Sequence, residues 1–249
     1  MKTRNLLLAG IITLAGMSIL SSCEKEDESM AEEAATETEA AEMVAYSLSE
    51  GTSGITADIE ITVTLASEAV DEGRLSCGES ADTTIVTSGG TSLITYQNTK
   101  TYQYALECDE SGNPVMLDAS FSYNGTFDAP RLASTHSVSG DFEITNIENT
   151  SDMYLINGTW QRTGGFESKI GNMANRQTTI QFELVNVAVE KEPREIDNGT
   201  IHFTMSGGSG RGSFSYEGTI TFTGNGEAII EISGNRYVTN LETGEVEEQ

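Results

Sequence analysis

Apolar and polar side chains alternate along most of this chain. Ile59, Ile61, Val63 and Leu65 interleave with Glu60, Thr62 and Thr64. A period of two there predicts a half-buried strand, or else the end of a helix-to-sheet connection. A polar stretch follows, and Thr83 to Ser88 then leads into Gly89-Gly90, a hairpin signal. Between Ser92 and Cys108, Ile94, Tyr96, Tyr102, Tyr104 and Leu106 share one parity, with Asn98 and Lys100 between them. This run is either one long strand or two strands turned at Asn98-Thr99-Lys100. Asp109-Glu110-Ser111-Gly112-Asn113-Pro114 is a turn. Two-fold faces recur over residues 115–127, 138–144, 154–160, 180–189, 201–205, 214–222 and 228–232, with a last short one at 237–241. The total is about ten to twelve strands joined by short turns.

Such a pattern predicts an all-β, antiparallel meander. Continuous apolar runs, the mark of a parallel sheet, are missing. The apolar parity has to be covered, so the sheet is expected to close as a barrel or fold into a sandwich; a broad sheet covered by the N-terminal helix is the other solution. Tyr123-Asn124-Gly125-Thr126-Phe127, Ile156-Asn157-Gly158-Thr159-Trp160, Asp197-Asn198-Gly199-Thr200-Ile201 and Tyr216-Glu217-Gly218-Thr219-Ile220 share a Gly-Thr-apolar core at irregular spacing. Strand chemistry accounts for this echo: Gly permits a bulge or close approach, and Thr favours strand.

The first 50 residues break the pattern. Lys2 and Arg4 precede an apolar run from Leu6 to Leu20, and no acidic residue occurs before Glu24. That is an export signal, too short an apolar run for a comfortable membrane span. It ends in Leu20-Ser21-Ser22-Cys23, which resembles the bacterial lipobox. The resemblance implies cleavage before Cys23, lipidation of Cys23 by palmitate-type acyl chains, and a membrane partner reached through that anchor. Glu24-Lys25-Glu26-Asp27-Glu28 follows directly. It resembles the acidic export signal of Bacteroidetes lipoproteins displayed on the outer face of the outer membrane. The expected organisation is a signal peptide at 1–22, a lipidated acidic tether with a short helix at 23–50, and a single β domain at 51–249. Within the second segment, Glu and Ala favour a helix over 38–49, ended by Gly51-Thr52-Ser53-Gly54.

Charge narrows the partners. The chain carries 39 acidic and 13 basic residues, a net of −26. Loss of Lys2 and Arg4 with the leader leaves 11 basic residues and a net of −28. Such a field repels nucleic acid and anionic membrane surfaces. Three cysteines are present. With Cys23 acylated, Cys77 and Cys108 are left as a candidate disulfide in an oxidising envelope. A strict three-strand meander would hold those two cysteines apart, whereas one long strand ending at Cys108 brings them closer.

Candidate chemistry is sparse. His136 and His202 stand alone in sequence and are expected to face solvent; with two thiols they make no metal spacing, so no metal and no cofactor is expected. Ser206-Gly207-Gly208-Ser209-Gly210-Arg211-Gly212 lacks the Lys-Ser/Thr ending of a phosphate loop. Asp82-Thr83-Thr84 resembles the O-glycosylation tripeptide of Bacteroidetes envelopes, with Thr83 as acceptor. Tyr96, Tyr102, Tyr104 and Trp160 are candidate ligand-facing aromatics, since such rings offer flat apolar area with a polar handle. The body resembles Gly/Thr-rich β lipoproteins of Bacteroidetes, a resemblance that implies no particular activity. The expected role is non-enzymatic: structural, adhesive or glycan-binding, with a glycan or another envelope protein as partner. A lipocalin-like barrel carrying a small hydrophobe and a hydrolase are the alternatives.

Overall fold

The computed structural model describes residues 35–148, 150–170, 175–209 and 212–249. Cys23 and the acidic cluster after it lie outside the described residues. The described chain begins with two α-helices, α1 (Glu37–Leu48) and α2 (Ile55–Val70), joined by a short 3-10 turn at Glu50–Thr52. Eleven strands follow: β1 Ser80–Gly90, β2 Thr95–Cys108, β3 Pro114–Asp128, β4 Leu132–Thr145, β5 Met153–Ser168, β6 Asn175–Glu190, β7 Ile196–Ser209, β8 Gly212–Phe222, β9 Glu227–Ile232, β10 Asn235–Asn240 and β11 Val246–Glu248. They pair antiparallel in chain order, as one sheet.

The sheet does not close on itself. β1 and β11 are its two ends, so the meander is open and not a closed barrel. Instead the helices cover the apolar face. Nine of the twelve α1 residues are buried, Ala40 to Leu48 without a break, which is why α1 shows no polar stripe in its sequence. It starts with a capping box: Glu39 N donates to Thr36 Oγ1 at 3.2 Å, and Thr36 N donates to Glu39 Oε2 at 2.9 Å.

Residues 59–65 are helical, a correction to the strand expected there. The two-fold pattern of Ile59, Ile61, Val63 and Leu65 overlaps a helical one. α2 buries Ile55, Asp58, Ile59, Thr62, Val63, Ala66 and Ala69, at spacings of three and four, together with Leu65 beside them. The chain reverses between the helices at Ser53, in the left-handed region at φ 56°, and Gly54. A Cβ on Gly54 would stand 2.4 Å from Ser47 O, so only glycine lets α2 start this close to α1. The helix linker is tied to the far end of the sheet: Glu50 N donates to Leu241 O at 2.8 Å and Gly51 N to Glu242 O at 2.9 Å.

β2 is one continuous strand through Asn98-Thr99-Lys100. Its far end meets the segment before β1, where Gly78 N donates to Leu106 O at 2.8 Å. Cys77 and Cys108 are bonded there, 31 positions apart in sequence. The Gly-Thr echo divides in two. Gly158 (φ 145°) and Gly199 (φ 132°) have positive φ, Gly158 at a register shift in β5 and Gly199 beside one between β6 and β7. Gly125 and Gly218 allow close approach: a Cβ would stand 1.7 Å from Asn98 Oδ1 and 2.7 Å from the Phe203 ring, respectively.

Candidate functional site

Asp58, on the buried side of α2, meets β2, β3 and β5 and is itself fully buried. Its Oδ1 accepts from Lys100 Nζ at 2.6 Å and from the Tyr102 hydroxyl at 2.9 Å. Its Oδ2 accepts from the Tyr123 hydroxyl at 2.9 Å and from Trp160 Nε1 at 2.9 Å. Lys100 and Asp58 both have side-chain exposures of 0%. A buried ion pair offsets its desolvation only when further hydrogen bonds satisfy it, and three neutral donors do so here. Burial, followed by the Asp58 charge, pushes the hydroxyls of Tyr102 and Tyr123 well above the usual phenol range, so both stay protonated as donors.

A second polar group lies beside it, on β4 and β5. Arg162 is 2% exposed and has no carboxylate within ion-pair reach among the described residues. Its guanidinium stacks 4.8 Å from the centroids of both Phe127 and Phe166. Nη2 donates to His136 Nδ1 at 2.7 Å and Nη1 to Ser47 Oγ at 3.3 Å. Burial brings the guanidinium down to about 9, still charged at neutral pH. His136 is 5% exposed, a correction to its expected solvent-facing place. Burial, then the charges of Arg162 and Lys100, holds its imidazole down to about 2. With Nδ1 accepting, the single proton sits on Nε2.

The aromatics divide unevenly. Tyr102 and Trp160 are fully interior; Trp160 stacks on Phe182 at 5.1 Å besides holding Asp58. They face the helices, a correction to their expected ligand-facing role. A central strand needs filling on its covered face, and these rings also supply the donors that a buried carboxylate requires. Tyr96 and Tyr104 flank Tyr102 on β2 with the same inward parity and are half-buried. Thr83 also points inward on β1, half-buried beside α2, while Thr84 is exposed on the outer face. His202 is exposed on that outer face as well.

The outer face has an order of its own. Register places Thr99, Asn124, Ser137, Thr163, Thr179, Ser206 and Ser215 side by side across β2 to β8. One row along lie Thr84, Thr101, Ser122, Ser139, Gln161, Gln181 and Thr204. On the other side lie Gln97, Thr126, Thr135, Gly165, Gln177, Gly208 and Ser213. From β2 to β7 these rows carry no charge, in a chain of net −26; on β8 the exposed Glu217 stands beside Thr204 and ends the second row with a charge. Further acidic residues stand in the flanking rows, with Asp141 and Glu183 beyond one side and Asp128 and Glu167 beyond the other. Strands sit about 4.8 Å apart and same-face residues about 6.8 Å apart along each strand, so the rows form a regular polar lattice.

Neighbouring side chains in the lattice hold one another. Ser137 Oγ donates to Asn124 Oδ1 at 2.6 Å, Gln181 Nε2 to Gln161 Oε1 at 2.8 Å, and Thr204 Oγ1 to Gln181 Oε1 at 3.3 Å. Open grooves of about 700, 560 and 520 Å³ run along it. The middle one is lined by Gln97, Thr99, Asn124, Thr126, Thr135, Ser137 and Thr163, among others.

Sequence reasoning missed the interior cluster, although the signal was present. Asn98, Lys100, His136 and Arg162 occupy inward parity on their strands, among apolar neighbours. Polar residues in core register are the mark of a buried network. Among the described residues no group of His, Cys, Asp and Glu is arranged to hold a metal, and no helix is long and apolar enough to cross a membrane. No family model, curated protein or solved structure matches the chain.

Proposed function

We propose that this chain is an envelope lipoprotein, acylated at Cys23 and held at the cell surface, whose β body is a non-enzymatic glycan-binding module. The observation that carries the reading is the set of three rows on the outer face that are uncharged from β2 to β7. Ser and Thr hydroxyls and Asn and Gln amides each both donate and accept, which matches the hydroxyls of a neutral sugar. Binding there desolvates no charge. The acidic flanking rows disfavour anionic ligands by repulsion. The exposed rows face away from the helices, so contact with a ligand leaves the core undisturbed.

A carrier for a small hydrophobe is less well supported. α1 and α2 fill the inner face, and the groove on that side, about 410 Å³, is lined by Glu50, Glu60, Glu68 and Lys100 as well as by apolar residues.

The test uses the full-length protein extracted from membranes in detergent and applied to an array of neutral and acidic polysaccharides. Retention on neutral glycans is expected, with at least a tenfold loss in the exposed variants Ser137→Glu and Thr163→Glu. Retention on none of the neutral glycans, or binding that both variants leave unchanged, refutes the glycan reading. The anchor is tested separately: Cys23→Ala is expected to abolish lipid labelling and membrane retention, and persistence of both refutes it.

A further inference from the structure

The two ends of the sheet differ in how they are protected. β11 is three residues long and carries Glu247 and Glu248. β1 is eleven residues long, runs along β2 without a register shift, and has no strand on its other side among the described residues. A free edge of that length presents a row of N–H and C=O groups to any incoming strand, and native sheets blunt such edges with Lys, Pro, bulges or shortness. From Thr83 to Gly90, β1 has none of these.

A strand added there meets apolar side chains on both faces. On the outer face Val86 is 68% exposed, and Leu93, in the β1–β2 connection, is 67% exposed; these are the most exposed large apolar side chains of the described surface. On the inner face a groove of about 410 Å³ between α2 and β1 is lined by Ala57, Ile61, Leu65 and Ile85.

We infer that β1 is a self-association edge, through which two copies of this chain pair antiparallel about a two-fold axis at Ile85. A two-fold interface requires a surface that complements itself, and β1 read against its own reverse does so. Ile85 faces its mate, Thr84 faces Val86, Thr83 faces Thr87, and Asp82, the strand's single charge, faces Ser88. No like charges stand directly opposite, and the paired positions are β-branched over the centre, which suits cross-strand packing. Glu50, Glu60 and Glu68 line the inner groove and approach the seam from both copies. Association is therefore opposed by repulsion and strengthens as salt screens it. A lysine-bearing strand from another protein would show the reverse salt dependence.

The experiment uses the full chain extracted from membranes in detergent, with protein mass measured by light scattering at low and high salt. The expected result is a dimer whose population rises with salt and which Val86→Lys converts to monomer, a twofold fall in mass. Val86 is exposed, so the variant is expected to keep the wild-type Trp160 fluorescence. Cysteine crosslinking in intact cells reads the register. Directly opposed Cα atoms lie about 4.5–5.5 Å apart, within disulfide reach, so Ile85→Cys links two chains. Thr84→Cys alone, about 7–8 Å from its mate on the diagonal, does not link, whereas Thr84→Cys combined with Val86→Cys does. A monomer at every salt concentration, or a link at Thr84→Cys without one at Ile85→Cys, overturns the inference. So does retention of a lysine-rich extended peptide by a chain that never self-associates, because the edge then serves a different partner.

Discussion

Replacing Asp58 with Asn tests how the helix layer is held to the sheet. The substitution keeps the shape and removes the charge. Lys100, 2.6 Å away with a side-chain exposure of 0%, then becomes a buried cation without a counter-ion. Breaking a buried pair in this way costs about 3–5 kcal/mol. The hydroxyls of Tyr102 and Tyr123 and the indole N–H of Trp160 lose a charged acceptor, and hydrogen bonds to charged groups contribute about 1.5–3 kcal/mol each. These contributions share one carboxylate and do not add. The expected loss for Asp58→Asn is therefore about 4 kcal/mol, a large part of the roughly 5–15 kcal/mol that holds a folded domain together. The assay is urea unfolding followed by fluorescence. The chain's single tryptophan is Trp160, a direct donor to Asp58, so the reporter sits in the perturbed site. Lys100→Met in the Asp58→Asn background removes the orphaned charge and is expected to recover about 1–2 kcal/mol of the loss. If Asp58→Asn falls within about 1 kcal/mol of wild type, or if Lys100→Met adds its full single-variant cost to the double variant, the cluster does not act as one charge-compensated unit.

Three further outcomes follow from the same geometry. Serine at both Cys77 and Cys108 releases a link between positions 31 apart and is expected to lower stability by roughly 2–4 kcal/mol on the chain-entropy model; equal denaturant midpoints for the two proteins would contradict this. His136 is held down to about 2 in the folded chain, against about 6.5 when unfolded. Its contribution is fully present above 6.5 and is lost as pH falls, because the unfolded chain binds a proton that the folded one refuses. The slope approaches about 1.4 kcal/mol per pH unit below 6. His136→Gln should flatten the stability profile between pH 6 and 4 relative to wild type, and parallel profiles would assign acid sensitivity elsewhere. Gly125→Ala places a Cβ 1.7 Å from Asn98 Oδ1 and 3.0 Å from His136 Nε2, with an expected cost of about 1–3 kcal/mol. Gly165→Ala, whose Cβ comes closest to the flexible end of Gln177 at 3.1 Å and otherwise meets Asn175 Oδ1 at 3.5 Å and Arg176 O at 4.0 Å, should change the melting temperature little.

The strands were legible because each carries its own evidence. Alternation from Leu117 to Phe127, or from Val138 to Ile144, states which side chains face the core without reference to any other segment. Turn chemistry at Asp109 to Pro114 then sets antiparallel neighbours, whereas Gly89 and Gly90, expected to turn, end β1 paired with Tyr96 and Thr95 and the chain turns just after them; the meander and the approximate strand count still follow from local rules. The cysteine pair was legible conditionally: it depended on β2 running straight through Asn98-Thr99-Lys100, and β2 does so.

Other features were decided only by distant parts of the chain meeting. α2 carries both a two-fold and a helical pattern, and burial of Asp58 against Lys100, Tyr102, Tyr123 and Trp160 accompanies the helical one. Periodicity cannot count partners that lie between 42 and 102 residues away. The sheet stays open because two helices cover its inner face, and the alternation of the strands alone is equally compatible with closure. The three polar rows were invisible for a related reason. Each contains one residue per strand, drawn from seven strands, and only register aligns Thr99 with Asn124, Ser137, Thr163 and Thr179. Local sequence determined which residues face out, whereas tertiary pairing determined which of them stand beside one another, and it is at that second level that a surface acquires a partner.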